Sequence, residues 1–473
     1  MTTRVRTQIW VQRAIGCVVG SAVGDALGAP FEFGPPGRYR ARVPSPVVGG
    51  IGEMVGGGSF AWAPGQFTDD TEQATLLGES LLACGGIDGD DILERLRAWA
   101  SGATDIGNLT RAVVHSGLPA SEAAAQVASS FGPGHSASNG SLMRAASGAV
   151  HFAALGRDAT VAAGLELSAV THADPRCRWA VALQHEIVRM LMLGESVEAS
   201  VASALERLPA DMKDVYGPLL APGWAPGDDA PKNGSAMGAL AQAVWALRTG
   251  GSFAEVVTSA IDLGGDTDTV AAIAGALAGA RFGIQAIPSR WVTHLHGFVR
   301  GTDGVRRRYD HLALQRMASA LAGWPSNRGS DDEPALSPVE VLPGVWATNR
   351  SGAHELPADV AVVSLCRIDD SLRRPIRREV YLVDQPGDAN ATVGAAVDDA
   401  VDSIEAFLAE GCQVAVHCLG GRSRTGLVLA ALMMRRGMPL DDAVALLEQR
   451  WPHAHRRNPA FADELLRRAS PRS

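Results

Sequence analysis

A polar, proline-containing stretch at residues 325–338 (PSNRGSDDEPALSP) separates two parts of this sequence that have different hydrophobic patterns. Before it, apolar residues recur at helical spacing between loops rich in glycine and proline, which predicts a mostly helical structure. After it, short runs rich in β-branched residues alternate with helical patterns, which predicts a small α/β domain. We therefore expect a two-domain protein, with an all-α domain at 1–324, a linker at 325–338 and an α/β domain at 339–473.

The same patterns predict individual elements. In the first part, the clearest predicted helices are 72–84, 90–100, 158–169, 177–193, 234–248, 253–263 and 270–282. In the second part, predicted strands at 339–347, 360–365, 380–383 and 413–416 alternate with predicted helices at 393–410, 424–436 and 440–450. Residues 206–234 are rich in loop-forming residues and give no pattern that places them.

Composition excludes several classes of protein. Hydrophobic residues make up 46% of the 473 residues and charged residues 20%, so the chain can bury a core and is not disordered throughout. The net charge of −9 argues against a protein that coats nucleic acid. The six cysteines include no C-x-x-C pair, and such sparse usage favours a reducing compartment, so we expect a cytoplasmic protein.

The N-terminal segment, with early arginines and an apolar run, has features of a signal peptide. Asp25 interrupts the run, however, and Gly16, Gly20 and Gly24 recur at helical spacing. We interpret the segment as a helix packed closely inside the first domain, and we expect no interaction with a membrane.

The most specific local pattern is VAVHCLGGRSRTG at residues 414–426, where a β-run ends at Cys418 and a glycine-rich loop leads into a helix. The loop amides and the helix N-terminus suit a phosphate group, and they would favour a nucleophilic thiolate on Cys418. Arg424 can hold two phosphate oxygens, and Thr425 can donate a hydrogen bond to the sulfur. The alternative is a structural cysteine on a buried strand near a surface arginine.

This pattern resembles the signature of the protein tyrosine/dual-specificity phosphatase family, HCxxGxxR followed by Ser or Thr, and the resemblance covers roughly 338–470. It implies hydrolysis of a phosphorylated substrate without a cofactor in this domain. It also implies that the following loop residues contact the phosphate: Gly421, Arg422 and Ser423. Because the segment is short, the compact dual-specificity branch fits better than the tyrosine-specific one.

Members of that family use an aspartate on an upstream loop as the general acid. Asp384 lies 34 positions before Cys418, directly after an apolar run, and is the preferred candidate. Asp388 is the second candidate. Either aspartate has an alternative role as a turn residue in the segment DQPGDAN.

Two segments of the first part each place threonine and carboxylates just before a predicted helix: GQFTDDTE at 65–72 and LGGDTDT at 263–269. Threonine and aspartate are common N-cap residues, which is the structural explanation. Capping needs only one such residue, however, and clustered carboxylates repel one another unless a cation lies among them. Their oxygens suit Mg²⁺ or Mn²⁺. These residues alone leave capping and metal binding equally open.

Six motifs in sequence order resemble the ADP-ribosylglycohydrolase family, and the resemblance covers about residues 10–300. The motifs are GCVVGSAVGDALGAPFE (16–32), TDDT (68–71), DIGN (105–108), SNGSLMR (138–144), THAD (171–174) and LGGDTDTVAAIAGALAGARFG (263–283). The resemblance implies an all-α fold, a centre of two Mg²⁺ or Mn²⁺ ions, and hydrolysis at the ribose C1″ of an ADP-ribosyl group.

The resemblance also implies site residues. The metal ligands that it implies are Thr68, Asp69, Asp70, Asp266, Asp268 and Thr269. Asp105 would act as an acid/base or ring-stabilising group, Glu32 would face the metals or gate the cleft, and Asp25 would support the site from behind. Asp105 could instead only start a helix, and His172 could be a satisfied loop histidine. Residues that would contact ADP-ribose or shape its pocket are Asn139, Gly140, Ser141, Met143, Arg144, His172, Gly264 and Gly265.

The sequence therefore predicts a bifunctional hydrolase that acts on an ADP-ribosylated substrate, expected to be a protein, and on a phosphorylated one. DIGN favours an arginine linkage. In the alternative, the second domain only binds phosphorylated partners and directs the first domain to them. Nucleic acid is not a favoured partner.

Overall fold

The computed structural model describes residues 7–131, 136–227, 230–324, 333–368, 372–385, 389–455 and 457–470. The first part of the chain is helical. Its helices are α1 (Gln8–Gly28), α2 (Arg38–Arg42), α3 (Asp69–Cys84), α4 (Gly89–Ala100), α5 (Asn108–Val114), α6 (Ala120–Ser130), α7 (Ala146–Ala153), α8 (Arg157–Ala169), α9 (Pro175–Met192), α10 (Val197–Leu205), α11 (Ala210–Leu219), α12 (Ala236–Thr249), α13 (Phe253–Ile261), α14 (Thr267–Phe282), α15 (Ser289–Val292) and α16 (His311–Leu321). An antiparallel hairpin of β1 (His296–Arg300) and β2 (Arg306–Asp310) precedes α16.

Helices α1 and α14 pack against each other at the centre of the first domain with almost no side chain between them. A Cβ atom on Gly16 would collide with the carbonyl oxygen of Gly279, and one on Gly24 would collide with that of Ala271. The segment Gln8–Phe31 is long and apolar enough to cross a membrane, but its 18-residue apolar window is wholly buried inside the protein. The N-terminal apolar run is therefore a helix packed within the domain, as the glycine spacing predicts.

The second part contains a five-stranded sheet in the order β3-β4-β7-β5-β6, flanked by helices. Its strands are β3 (Val339–Leu342), β4 (Val345–Asn349), β5 (Ala361–Ser364), β6 (Arg377–Glu379) and β7 (Val414–Cys418). Its helices are α17 (Val393–Ala409), α18 (Ser423–Arg435), α19 (Leu440–Arg450) and α20 (Pro459–Ala469). β3 pairs antiparallel with β4, and the other pairs are parallel. The central strand β7 thus ends with Cys418 at the carboxyl edge of the sheet.

The fold class agrees with the sequence prediction, and differences are local. The strand predicted at 380–383 is wrong. β6 ends at Glu379 because its neighbour β5 ends at Ser364, whose carbonyl oxygen accepts the last bond from the Val380 amide at 2.9 Å. The unplaced stretch 206–234 contains α11, and the hairpin β1–β2 was not predicted because its second strand is mostly charged and exposed. Residues 325–332 lie outside the described residues, so the linker stays a prediction.

The two parts of the chain meet in an interface that contains buried charged groups. The Arg378 side chain, 1% exposed, donates through Nη2 to the carbonyl oxygens of Val48 and Gly50, each at 2.8 Å. Next to it, Glu379 Oε2 lies 3.2 Å from His311 Nε2, with both side chains buried. Buried polar groups cost free energy unless they are paired, so these contacts specify one arrangement of the two domains.

Candidate active sites

Carboxylates from the ends of α1, α3 and α14 converge in one place in the first domain. Ligand oxygens of Asp25, Asp70 and Asp268 lie within 4.8 Å of one another, and so do those of Glu32, Asp266 and Asp268. Asp268 belongs to both groups. The close packing of α1 on α14 creates this arrangement, because it puts the C-terminal end of α1 beside the N-terminal end of α14.

The Asp25 side chain fixes the start of α3. It accepts hydrogen bonds from the backbone amides of Thr68 and Thr71, both at 3.0 Å, and from the Thr71 hydroxyl at 2.6 Å. Thr68 in turn caps the helix by accepting from the Asp70 amide at 3.4 Å. Capping therefore explains part of the TDDT motif, but it leaves the Asp70 carboxylate directed into the cluster.

Burial and mutual repulsion disfavour the charged forms of these carboxylates. Burial, assisted by nearby acidic groups, raises the pKa of Glu32 to about 8. Burial raises the pKa of Asp25 to about 6 despite the hydrogen bonds that it accepts. The pKa values of Asp69, Asp70 and Asp268 are raised well above the ordinary value, again first by burial and then by neighbouring carboxylates. A divalent cation would remove this repulsion.

Two oxygens of the cluster fit a metal ion directly. Asp70 Oδ2 and Glu32 Oε2 are buried and have no hydrogen-bond partner among the described residues. Leaving such atoms unsatisfied is costly, and an all-oxygen donor set is the type that binds Mg²⁺ and Mn²⁺. The residues present therefore fit the metal centre that the resemblance implies.

The predicted ligands do not all occupy the same position. Asp70, Asp266 and Asp268 belong to the cluster, and Thr269 Oγ1 donates to Asp70 Oδ1 at 3.3 Å. Asp69 lies beside the cluster, where its Oδ2 accepts from Gln73 Nε2 at 2.9 Å. Two further cluster members, Asp25 and Glu32, were expected to play other roles. The metal-ligand set thus stays a prediction, with Glu32 as an added candidate.

Arg144 and His172 lie in a buried network behind Asp69. Arg144 donates from Nη1 to Gln73 Oε1 at 2.7 Å and from Nη2 to Thr171 Oγ1 at 2.6 Å. The Thr171 hydroxyl lies 2.7 Å from His172 Nδ1, and burial lowers the pKa of His172 to about 3, so this histidine is neutral. Through Gln73, this network holds the Asp69 side chain in place. We therefore expect Arg144 and His172 to shape the site rather than to contact a ligand.

Asn139 and Asn233 hold Asp266 in place. Asn139 Nδ2 donates to Asp266 Oδ2 at 2.8 Å, and Asn233 Oδ1 accepts from the Asp266 amide at 3.2 Å. A Cβ atom on Gly265, whose φ is +74°, would lie 2.6 Å from Asn233 Oδ1, which explains the glycine. Asn233 was missed because it belongs to the unplaced stretch, where Asn-Gly signals only a turn.

Of the other predicted residues of this site, Asp105 lies near the cluster, and Ser141 and Gly140 contact residues of the interior. Asp105 is half-buried, and burial together with the charge of Asp266 raises its pKa. Ser141 Oγ lies 2.9 Å from Ser168 Oγ in the interior, and a Cβ atom on Gly140 would lie 3.1 Å from the His172 ring. Asp105 is thus a partly accessible carboxylic group at the edge of the cluster.

In the second domain, the loop after Cys418 is held in a tight curve. Gly421 has a φ of +64°, and a Cβ atom on it would lie 2.8 Å from the Thr348 carbonyl oxygen. Trp451 Nε1 donates to the Gly421 carbonyl oxygen at 2.6 Å. This bond directs the Gly421 carbonyl toward the buried Trp451 and thereby fixes the curve of the loop. The side chain of Arg422 instead points to Glu333 at 3.1 Å, on the exposed side of the loop.

Arg424 and Thr425 each carry an unsatisfied donor beside this loop. Arg424 Nη1 donates to the carbonyl oxygens of Leu365 at 2.9 Å and Leu382 at 3.2 Å, which fixes the guanidinium plane. Arg424 Nε and Thr425 Oγ1 are buried without a hydrogen-bond partner in the part of the chain that the structure describes. Such donors next to a buried cysteine fit a bound oxyanion.

The candidate general acid Asp384 is exposed and accepts a hydrogen bond from Asn458 Nδ2 at 3.0 Å. The second candidate, Asp388, lies outside the described residues. Ser423 begins α18, and its hydroxyl lies 3.3 Å from His455 Nδ1. Because Arg424 donates to the carbonyl oxygen of Leu382, its side chain lies next to the segment that carries Asp384.

Comparisons with known proteins assign a family to each domain. A family model for ADP-ribosylglycohydrolase matches residues 6–327, and a model for the dual specificity phosphatase catalytic domain matches residues 375–469. The chain belongs to the ADP-ribosylglycohydrolase family, since the first match spans more than half of it. The C-terminal region is a dual-specificity phosphatase-like domain.

Individual relatives match the first domain over most of their own length. The ADP-ribosyl-(dinitrogen reductase) glycohydrolase of Rhodospirillum rubrum is 31% identical over 66% of this chain and 97% of its own length. The ADP-ribosylarginine hydrolase Tri1 of Serratia proteamaculans is 30% identical over 60% of this chain and 75% of its own. A solved structure, an ADP-ribosylglycohydrolase-related protein complex, is 31% identical, covers 66% of this chain and 98% of its own, and has a TM-score of 0.52.

The raised pKa values predict how metal and pH affect stability. Glu32, with a pKa of about 8 in the folded protein against 4.5 ordinarily, stabilises the metal-free fold fully below the ordinary value. This contribution is lost as the pH rises through the folded value. We expect the metal-free protein to unfold at lower temperature as the pH rises from about 5 to 8. Addition of Mg²⁺ or Mn²⁺ is expected to raise the unfolding temperature most at the higher pH.

Thermal unfolding with chelator and with added metal, at three pH values across this range, measures the effect. Glu32→Gln removes one of the titrating groups and should reduce the pH dependence of the chelated protein. A chelated wild-type protein that is equally stable across the range, or that metal leaves unchanged, would contradict the proposed cluster.

Proposed function

We propose that the first domain removes ADP-ribose from arginine-linked conjugates in a reaction that depends on two Mg²⁺ or Mn²⁺ ions. The observation that carries this proposal is the buried carboxylate cluster with the unsatisfied oxygens of Asp70 and Glu32. The arginine linkage rests on the DIGN motif and on the similarity to the ADP-ribosylarginine hydrolase of Serratia proteamaculans.

In this proposal, different residues of the site bind the ions and orient the ligands. Asp70, Asp266, Asp268, Thr68 and Thr269 would hold the ions, which would bind ribose hydroxyls and position the attacking water. Asn139 orients Asp266 through its 2.8 Å hydrogen bond.

The bond between ribose C1″ and the guanidine nitrogen breaks with oxocarbenium character, and a water oxygen adds to C1″. Asp105, with its raised pKa, takes the proton of this water and returns it to the leaving nitrogen.

The test compares conjugates of different linkage. We expect release of free ADP-ribose from an arginine-linked conjugate, loss of release after chelation, and recovery with Mg²⁺ or Mn²⁺. Serine-linked and nucleic-acid-linked conjugates serve as comparisons, each followed by chromatography of the released ADP-ribose. Release that persists after complete chelation would overturn the metal dependence, and faster release from another linkage would overturn the arginine assignment.

We propose a second activity for the second domain, the hydrolysis of phosphate monoesters, because Arg424 Nε and Thr425 Oγ1 are unsatisfied donors beside Cys418. The Cys418 thiolate attacks phosphorus, and Asp384 protonates the oxygen of the leaving alcohol. Water then attacks the phosphocysteine, gives a proton to Asp384 and releases phosphate. This mechanism needs no metal ion.

A further inference from the structure

The segment of the phosphatase-like domain that follows its edge strand lies against the hydrolase domain. The Tyr381 side chain packs on the hydrophobic core of the hydrolase domain. Thr392 Oγ1 donates to the carbonyl oxygen of Phe282, the last residue of α14, at 3.1 Å. A Cβ atom on Gly283 would lie 2.7 Å from Ala391 Cβ, so the two backbones are in close contact there. The segment carrying Asp384 is therefore enclosed between contacts to the other domain.

The Asn390 side chain forms two hydrogen bonds with the backbone of Val383, the residue before the candidate general acid. Its Oδ1 accepts from the Val383 amide and its Nδ2 donates to the Val383 carbonyl oxygen, both at 2.8 Å. These two hydrogen bonds hold the peptide units on both sides of Val383. They thereby fix the backbone that leads into Asp384.

Gln285 of the hydrolase domain holds the side chain of Asn390. Gln285 is 3% exposed, and its Nε2 donates to Asn390 Oδ1 at 3.2 Å and to Gln12 Oε1 at 2.9 Å. Asn390 Oδ1 thus receives two donors, which keeps its oxygen toward the Val383 amide and its nitrogen toward the Val383 carbonyl. A rotation of the Asn390 amide would oppose donor to donor at the Val383 amide and acceptor to acceptor at the Val383 carbonyl.

The far side of the segment is held within the phosphatase-like domain. Asn458 Nδ2 donates to Asp384 Oδ1 at 3.0 Å and to the Gln385 carbonyl oxygen at 3.1 Å. We propose that Gln285 is a positioning residue for the phosphatase reaction, so that the hydrolase domain completes the phosphatase centre by fixing the segment that carries Asp384. This inference rests on the proposed phosphatase activity.

The full-length variant Gln285→Leu tests the inference, because leucine fills similar space without the amide donor. General-acid catalysis contributes most when the leaving alcohol is a poor one, so two substrates are compared. We expect kcat/KM, which covers the steps up to departure of the alcohol, to fall about 10-fold for phenyl phosphate and to change by less than about 2-fold for 4-nitrophenyl phosphate. The inhibition constant of inorganic phosphate should stay the same, since the phosphate loop is untouched.

Thr293→Val is the matched control. It removes the hydroxyl that accepts the Glu379 amide at 3.1 Å, another hydrogen bond between the domains but away from Asp384. This variant should keep the wild-type ratio of the two rates. An equal fall for both substrates in Gln285→Leu, or the same change in Thr293→Val, would overturn the positioning role.

Hydrogen exchange of the full-length protein gives a readout that does not need turnover. The Val383 amide should exchange faster in Gln285→Leu than in the wild type and Thr293→Val, because its acceptor Asn390 has lost a partner. A wild-type protein without aryl phosphatase turnover would refute the proposed activity. Unchanged exchange at Val383 would instead refute the proposal that Gln285 positions the segment. The two failures are thus distinguishable.

Discussion

Asp268→Ala is expected to abolish release of ADP-ribose and to leave hydrolysis of aryl phosphates unchanged. Asp268 belongs to both groups of converging carboxylates, so its removal weakens the whole candidate metal site. Loss of several kcal/mol of charge stabilisation corresponds to a fall in kcat of about 10³-fold or more. Release of ADP-ribose from an arginine-linked conjugate measures the effect, with aryl phosphate turnover of the same preparation alongside.

The unfolding temperature provides a second measurement on the same variant. Without metal, Asp268→Ala should be at least as stable as the wild type, because one buried carboxylate has been removed from a repelling group. Metal should no longer raise its unfolding temperature. Asp303→Ala, which removes an exposed aspartate that pairs with Arg307, is the matched control and should behave as wild type in both assays. Loss of both activities in a folded Asp268→Ala protein would refute two independent sites.

Cys418→Ser is expected to have the converse effect. Serine keeps the size of the side chain but is a much weaker nucleophile, so aryl phosphate turnover should fall about 10⁴-fold or more, as for other nucleophile replacements. Release of ADP-ribose should stay at the wild-type rate. The measurement is the initial rate of both reactions on one preparation.

The matched control is Cys412→Ser, a half-buried cysteine that precedes β7 in the same domain. It should keep both activities. Turnover that survives Cys418→Ser would exclude Cys418 as the nucleophile. A wild-type protein that binds phosphopeptides but never turns over aryl phosphates would favour the alternative, a domain that only directs the hydrolase to phosphorylated partners.

The parts that were predictable from sequence are those whose chemistry lies in short contiguous motifs. The pairs Asp69–Asp70 and Asp266–Asp268 could be found because each sits directly before a helical pattern, where carboxylates are unusual in such number. The cysteine loop was predictable for the same reason. Bringing Asp70 and Asp268 together, however, depends on the packing of α1 on α14, which the glycine spacing only suggests.

The parts that sequence could not predict depend on partners far apart in the chain. Asn233 orients Asp266 across 33 positions, and Gln285 reaches Asn390 across 105. The end of β6 at Glu379 depends on where its neighbour stops, which is a property of the assembled sheet. Arg144 stands in the SNGSLMR motif, but only the structure locates it in the interior behind Asp69.

The helix α14 links the carboxylate cluster to the contact between the domains. It begins at the cluster and ends at Phe282 against the phosphatase-like domain, and its 16 residues span about 24 Å. The bond from Asn139 to Asp266 and the bond from Thr392 to Phe282 thus lie at opposite ends of one rod. A change in the way the domains meet would displace Asp266 and Asp268 only by moving or tilting this helix as a whole.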